Sequence, residues 1–344
     1  MTAPRALPLL RLDTSASFEA ARRLAGSSAR QQRLHGHSFQ VQVRSSGVGE
    51  DLPRLQRAVH DLAQTLDHQL LNDLLPDAAD EALAGWFAHG LRGLDVEQVV
   101  LHAGASQGAL WSDGQSSHWR RYAFEAAHRL PNVPLGHKCG RMHGHGFGVL
   151  VHAASREGVE AIDDAWAPLH HRLNYRCLND IDGLHNPTSE LLAQWLWQQL
   201  QGELQGLQRV TVFETGSSGA AFDGSRFSIW KQFTLDSAVR DEHGLHGHTY
   251  ALRLHLAAAL DELMGWVVDF GDVKALFAPV FEQLDHRPLY ELAGLLNVDC
   301  ASLAHWVFEQ TRQRLPQLDR IDLHQTPGHG AIVAANERAL HAGP

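Results

Sequence analysis

The sequence predicts an α+β fold made of three tandem units, each with antiparallel strands and two helices. Recurrences along the chain carry that expectation. His-Gly-His stands at 35–37, 143–145 and 246–248, each time followed by an aromatic residue (Phe39, Phe147, Tyr250). An Ala-x-Trp step on a helical pattern places Trp86, Trp195 and Trp306 at intervals of 109 and 111. Strand-like runs end at Val100-Leu101-His102, Val212-Phe213-Glu214 and Asp322-Leu323-His324, at intervals of 112 and 110. A fourth landmark reads Leu66-Asp67-His68, Leu169-His170-His171 and Leu284-Asp285-His286. The shared period sets approximate units of 1–117, 118–224 and 225–344.

Within each unit the order reads strand, strand, helix, helix, strand, strand. The run Phe39-Gln-Val-Gln-Val43 alternates as a half-buried strand does. Leu55, Val59, Leu62 and Leu66 form an apolar stripe on a helix from Leu52 to Leu66. The second helix of each unit carries its Trp on the core face. Gly265-Trp-Val-Val-Asp-Phe270 reads as an additional strand ahead of the first helix of unit three. Unit boundaries fall at Ala103–Ser117 and Thr215–Ser225, rich in Gly, Ser and Asp in the manner of hairpins. The units are therefore expected to share a sheet.

The 344 residues are 44% hydrophobic and 20% charged, ordinary for a globular chain. A formal net charge of −10 with no basic run argues against a nucleic-acid binder. Three cysteines (Cys139, Cys177, Cys300) do not make a disulfide framework. Nothing reaches transmembrane length, and Met1–Arg11 has no apolar core of signal-peptide type. The expectation is a cytoplasmic protein without membrane partners.

The chemistry concentrates in the middle third. His128 closes an alternating run, Tyr122 to His128, and His143 and His145 share one face of the next strand. If the two runs pair, three neutral imidazoles meet. Three histidines without a fourth protein ligand describe an open, catalytic zinc site. Cys139 lies in the connecting loop, where a thiol can face the open position. A lone His-x-His is usually a pair of half-exposed histidines; the reading rests on the combination.

Ala-Ala-His-Arg-Leu-Pro (126–131), Lys-Cys-x-x-x-His-Gly-His (138–145), Asn-Pro-Thr-x-Glu (186–190) and Phe-Glu-Thr (213–215), with Leu-Asp-His-x-x-Leu-Asn altered at 169–174, together resemble the 6-pyruvoyl-tetrahydropterin synthase / 6-carboxytetrahydropterin synthase family. The resemblance covers unit two fully and the other two more weakly. Three residues between Cys139 and His143 look like the 6-carboxytetrahydropterin synthase branch. The family's T-fold implies a pseudo-threefold, twelve-stranded antiparallel barrel with helices outside, closed here by one chain. Two chains face to face, a homodimer, would match the family hexamer.

Carried over residue by residue, the resemblance implies that His128, His143 and His145 hold Zn2+, that Cys139 is the catalytic base, and that Glu214 anchors the pterin. Unit one keeps His35 and His37 but has Arg22 where His128 aligns, and unit three keeps His246 and His248 without a third histidine. Gln31 and Glu242 stand at the offset of Cys139, and His102 and His324 at that of Glu214. One zinc and one pterin pocket per chain follow, with units one and three degenerate. The family's Asp-His pair is Asp67-His68 in unit one and Asp285-His286 in unit three, and it is altered to His170-His171 in unit two; a neighbouring unit can supply the pair that serves Cys139. A thiol beside zinc and Lys138 is expected to have a lowered pKa. Arg129, Lys138 and Arg141 are expected to meet an anionic tail.

The implied activity is conversion of 7,8-dihydroneopterin triphosphate to 6-carboxy-5,6,7,8-tetrahydropterin, a lyase-type step towards the deazapurine of queuosine. The alternatives are 6-pyruvoyl-tetrahydropterin synthesis at the same site, and a zinc- and pterin-binding protein without turnover.

Overall fold

The computed structural model describes residues 7–24, 29, 31–46, 51–154, 156, 158–242, 244–325 and 328–340. The segment weighed above as a leader lies partly outside them. Unit one contributes β1 (Leu9–Arg22), β2 (His35–Ser45), α1 (Leu52–Gln64), β3 (Gln69–Leu70), α2 (Leu71–Leu74), α3 (Asp80–Gly90), β4 (Val96–Ala103) and β5 (Gln107–Ser112). Unit two contributes β6 (Gln115–His128), β7 (His143–Ala154), α4 (Gly158–Leu173), β8 (Arg176–Cys177), α5 (Ser189–Leu200), β9 (Leu207–Thr215) and β10 (Ser218–Phe222). Unit three contributes β11 (Phe227–Asp241), β12 (Gly244–Leu256), α6 (Phe270–Phe281), β13 (Arg287–Pro288), α7 (Cys300–Arg312), β14 (Leu318–Gln325), β15 (His329–Ala334) and α8 (Glu337–Leu340).

Twelve long strands form one closed antiparallel barrel in the order β1-β2-β4-β5-β6-β7-β9-β10-β11-β12-β14-β15, and β15 returns to β1. The two-residue strands β3, β8 and β13 pair in parallel with β1, β6 and β11. The helices lie outside. Closure leaves no long unpaired edge, which an open sheet of this size would present to other chains. Two of the three seams between units are hairpins. At the β5–β6 seam Asp113 and Gly114 both have positive φ (52° and 76°), the backbone that a two-residue hairpin turn requires. At the β10–β11 seam Asp223 Oδ1 accepts from the N–H groups of Ser225 and Arg226. The third seam, β1–β15, is held by pairing of Leu9–Asp13 with Gly330–Ala334.

Period-two alternation sorts each strand into two environments. On β2, Val41 and Val43 are fully buried under the helices, while Gln40, Gln42 and Arg44 line the barrel lumen. Three apolar cores result, one per unit, each between the outer barrel face and two helices. Leu55, Val59 and Leu66 enter the first of them, as the stripe anticipates. Trp195 and Trp306 are buried in the other two, their Nε1–H groups donating to the carbonyls of Asp182 and Ala293. Each such side chain removed from water contributes roughly 2 kcal/mol. Among the described residues no helix is long and apolar enough to cross a membrane.

One expected element is absent. Residues 265–269 are not a strand; they form a connection leading into α6. Its backbone groups bond across the seam to unit two instead of to a neighbouring strand.

Candidate metal centre and pocket in unit two

β6 and β7 pair so that His128 stands directly opposite His143, and Ala126 opposite His145. The side chains of His128, His143 and His145 converge, with one ring nitrogen from each lying within 4.8 Å of the other two. Ring centroids are 4.5 Å (His128–His143), 5.1 Å (His128–His145) and 6.0 Å (His143–His145) apart. Each Nδ1 faces a backbone carbonyl: Pro187 at 3.2 Å, Arg141 at 2.8 Å and Gly146 at 3.1 Å. A carbonyl can only accept, so each neutral imidazole carries its proton on Nδ1 and leaves Nε2 as a lone pair. The Nε2 atom of His128 is buried without a hydrogen-bond partner. Burial, with His143 and then His145 as further causes, pushes the His128 pKa down to about 4, so the ring is neutral at pH 7. A buried lone pair beside two others of the same tautomer fits a divalent cation, and this donor set suits zinc.

The same register shows what the other units place there. Arg22 lies opposite His35, and Val239 opposite His246. Arg22 is completely buried, donates to Asp80 Oδ1 (2.6 Å) and the Ala78 carbonyl (2.8 Å), and lies 5.1 Å over the Phe39 ring. A guanidinium has no lone pair to offer. It also helps burial to lower the pKa of His37, burial being the larger cause. In unit three the His248 Nδ1 is bonded by the Gln325 side-chain amide. An amide N–H donating there places the ring proton on Nε2, the opposite tautomer to that favoured in unit two. Among the described residues the unit-two trio is the one group of this kind.

Cys139 sits in a 3-10 turn (Lys138–Gly140) and is half-buried. Its carbonyl accepts from Leu130 N–H (2.8 Å) and its N–H donates to His137 Nδ1 (3.2 Å). His137 Nε2 in turn lies 3.4 Å from Asp269 Oδ2 of unit three. Asp269 Oδ1 meanwhile accepts from Gly271 N–H and caps α6. The thiol differs from expectation: burial, then Glu214, push its pKa up, and Lys138 only partly opposes them. The expected lowering depended on a bound cation, which the protein groups alone do not replace.

Glu214, near the end of β9, accepts from Ser189 Oγ (2.7 Å) and keeps its other oxygen available. Sequence reasoning gave its neighbour Glu190 no role, although the Asn-Pro-Thr-x-Glu run marked it. Glu190 is 2% exposed and accepts from Val267 N–H (2.9 Å). Burial first, with Glu214 and Asp269 adding to it, pushes its pKa up to about 7. The rest of that run also grips unit three: Asn186 Nδ2 donates to the Met264 carbonyl (2.8 Å) and Thr188 Oγ1 to the Gly265 carbonyl (2.5 Å). Gly265 is needed there twice over. Its φ is +76°, and a Cβ would come 2.6 Å from Leu191 Cδ1.

Arg129 and Arg141 are exposed at the rim. Burial lowers the pKa of Lys231 on β11, Glu214 opposes it, and Lys274 of α6 and then Lys138 lower it further. These are the chain's three lysines. A rarity gathered at one seam is a signal that composition alone offered.

The Asp-His alignment needs a correction in unit two. His68 N–H donates to the Glu19 carbonyl (2.6 Å), Tyr175 N–H to that of Glu125 (2.7 Å) and His286 N–H to that of Asp236 (2.7 Å). All three residues have positive φ, between 55° and 57°. Asp67, Asn174 and Asp285 each accept, through Oδ1, from the N–H of those same partner residues. The unit-two counterpart of Asp67-His68 and Asp285-His286 is therefore Asn174-Tyr175. His170 and His171 lie four residues earlier on α4, His171 exposed. The pairs themselves are intact: His68 Nδ1 is 2.8 Å from Asp67 Oδ2, and His286 Nδ1 is 3.0 Å from Asp285 Oδ2. Both imidazoles are about three-quarters exposed, at 75% and 77%.

The family model described as 6-pyruvoyl tetrahydropterin synthase matches three times, at residues 11–101, 118–225 and 226–336. A 6-carboxy-5,6,7,8-tetrahydropterin synthase from Synechocystis sp. is 35% identical over 124 residues, 32% of this chain and 95% of the relative. A dihydroneopterin monophosphate aldolase from Pyrococcus furiosus is 33% identical over 88 residues, 25% of this chain and 74% of the relative. Among solved structures, Caenorhabditis elegans 6-pyruvoyl tetrahydropterin synthase aligns at 19% identity and a TM-score of 0.28, covering 30% of this chain and 92% of its own. Uricase from Arthrobacter globiformis aligns at 14% identity and a TM-score of 0.34, covering 60% and 80%.

Proposed function

Because this chain belongs to the 6-pyruvoyl tetrahydropterin synthase family, we propose that its middle unit converts 7,8-dihydroneopterin triphosphate to 6-carboxy-5,6,7,8-tetrahydropterin with one zinc ion, the flanking units being degenerate copies. The observation that carries this is the convergence of three histidines, each with its Nδ1 facing a backbone carbonyl. A 35% identical relative named for that product, and the three-residue spacing from Cys139 to His143, favour the carboxy branch.

His128, His143 and His145 would hold the metal, which when bound supplies Lewis-acid polarisation of substrate hydroxyls. Glu214 accepts the paired N–H edge of the pterin through both carboxylate oxygens, Oε2 also accepting from Ser189 Oγ, as a carboxylate accepts a guanidinium. Cys139 takes a proton from the side-chain carbons, and the His137–Asp269 contact fixes the loop that presents it. Lys138, Lys231 and Lys274 neutralise the triphosphate. For the Asp-His pair, the barrel order favours unit three. β11, which carries the bonds to Asp285-His286, pairs with β10 beside Glu214. Asp67-His68 is bonded to β1, which pairs with β15 at another seam. A second chain stacked face to face is the proposed assembly.

The test combines a metal count with product analysis on purified chain. About one zinc per chain and a 6-carboxy product are expected, with Cys139→Ala keeping metal and losing turnover. Three metals, a 6-pyruvoyl product, or full activity in that variant would each remove part of the proposal.

A further inference from the structure

The run Asn186-Pro187-Thr188-Ser189-Glu190 of unit two alternates between two sets of partners. Its even-numbered residues reach across the seam. Asn186, Thr188 and Glu190, all buried, bond the Met264 carbonyl, the Gly265 carbonyl and the Val267 N–H of unit three. Its odd-numbered residues face the site. The Pro187 carbonyl accepts from His128 Nδ1–H at 3.2 Å, and Ser189 Oγ donates to Glu214 at 2.7 Å. Thr188 N–H closes a tight turn on the Asn186 carbonyl (2.8 Å) around Pro187. The ring-fixed φ of proline suits that turn and leaves its own carbonyl for His128.

The strap that these side chains grip has a shape of its own. Asp261 Oδ1 accepts from the N–H groups of Leu263 (3.0 Å) and Met264 (2.8 Å). The Asp261 carbonyl accepts from Gly265 N–H (2.7 Å), and its N–H donates to the Trp266 carbonyl (2.9 Å). Residues 261–266 thus present the Met264 and Gly265 carbonyls from a closed loop. Unit one has the same frame with a different flank. Its Ala78 carbonyl accepts from Arg22 Nη1 (2.8 Å), and Arg22 holds the rung that His128 holds in unit two. Beside it, Ala79 has no side-chain donor, and Asp77 Oδ1 turns back to accept from Ala79 N–H (2.9 Å).

We propose that Asn186, Thr188 and Glu190 are positioning residues: held by the 261–267 strap of unit three, they set the Pro187 carbonyl that orients His128 and the Ser189 hydroxyl that orients Glu214. The inference rests on the reading of His128 as a metal ligand and Glu214 as the pterin anchor. A histidine ligand needs its far nitrogen fixed if the near one is to point at the ion, and such outer partners are worth about 10–100-fold in metal affinity. Unit three therefore acts on the site of its neighbour through a strap that touches neither metal nor pterin.

Two affinities of the purified full chain test this: zinc, by competition with a chromophoric chelator, and neopterin, a stable pterin, by fluorescence. Asn186→Ala removes the grip from the side of unit two. Gly265→Ala disturbs it from unit three, where a Cβ would stand 2.8 Å from Asn186 Nδ2. Each should weaken zinc about tenfold and weaken neopterin as well. Thr188→Ser keeps the hydroxyl and should match the unaltered chain. Trp306→Phe gives up a bond to the Ala293 carbonyl inside unit three and should also match, which separates the strap from general loosening. Circular dichroism checks each fold; where one seam variant does not fold, the other decides. Unchanged affinity for both probes in the folded seam variants, or equal weakening in Trp306→Phe, overturns the inference. An unaltered chain that binds neopterin but no zinc refutes the metal reading alone, and the neopterin measurements then decide. A chain that binds neither removes the functional reading and this inference together.

Discussion

The ends of β1, β6 and β11 are superimposable in register and opposite in chemistry. His128, Arg22 and Val239 stand on the same rung, each facing the first histidine of a His-Gly-His. Unit two leaves a buried lone pair there, unit one installs a paired permanent cation, and unit three fills the space with an apolar side chain. The scaffold tolerates all three because the rung is set by strand pairing, not by what the side chain binds. On the proposed reading, the residue at this rung separates the unit that can offer three histidine ligands from the two that cannot. The seam supplies the rest of the pocket.

The largest expected effect comes from making unit two resemble unit one. His128→Arg should abolish metal binding, read by elemental analysis, and reduce turnover by at least ~10³-fold as the polarising ion is lost. The reverse change sharpens the comparison. Arg22→His alone leaves Asp80 buried without its partner, 5% exposed, and should lower the stability of unit one by about 3–5 kcal/mol in denaturant melts. Arg22→His with Asp80→Ser should restore stability and raise the metal count from one to two; a count that stays at one would mean the rung is not sufficient.

The next contrast lies between the two Asp-His pairs. Asp285→Asn should slow turnover by roughly 10²-fold, while Asp67→Asn leaves it unchanged in the same steady-state assay. Equal effects would dissolve the assignment of unit three as the supplier.

A smaller effect concerns stability against pH. Glu190 is held at about 7 against an ordinary value of 4.5. The folded state keeps this proton more tightly than the unfolded chain does. Stability therefore falls as pH rises from 4.5 to about 7 and then levels, with a full amplitude of about 3 kcal/mol. Glu190→Gln should flatten that slope in thermal melts from pH 4 to pH 8. An unchanged slope would assign it to other groups.

Much of the architecture was legible because it repeats. Four landmarks at one period disclose three units, and alternation on Phe39–Val43 gives the sheet its two faces. The His trio was legible because two strands of matched length place residues 128 and 143 on one rung. The Asp-His register was not, because its defining feature is a left-handed backbone at Tyr175 bonded to Glu125, and side-chain spelling carries no trace of that. His170-His171 copies the spelling inside a helix, one turn too early. Gly265–Phe270 has strand-like residues, yet its Gly265 carbonyl and Val267 N–H bond Thr188 and Glu190 across a seam, and pairing with distant side chains has no periodic signature. The same holds for Asp269 and His137, more than 130 positions apart.

A ring assembled from three identical subunits changes every seam at once when one codon changes. In this chain His137 and Asp269 meet at the seam between units two and three, and each of the other junctions is written by residues of its own. Carrying three units on one chain thereby gives each junction its own residues, so that one can be tailored without a compromise imposed on the other two.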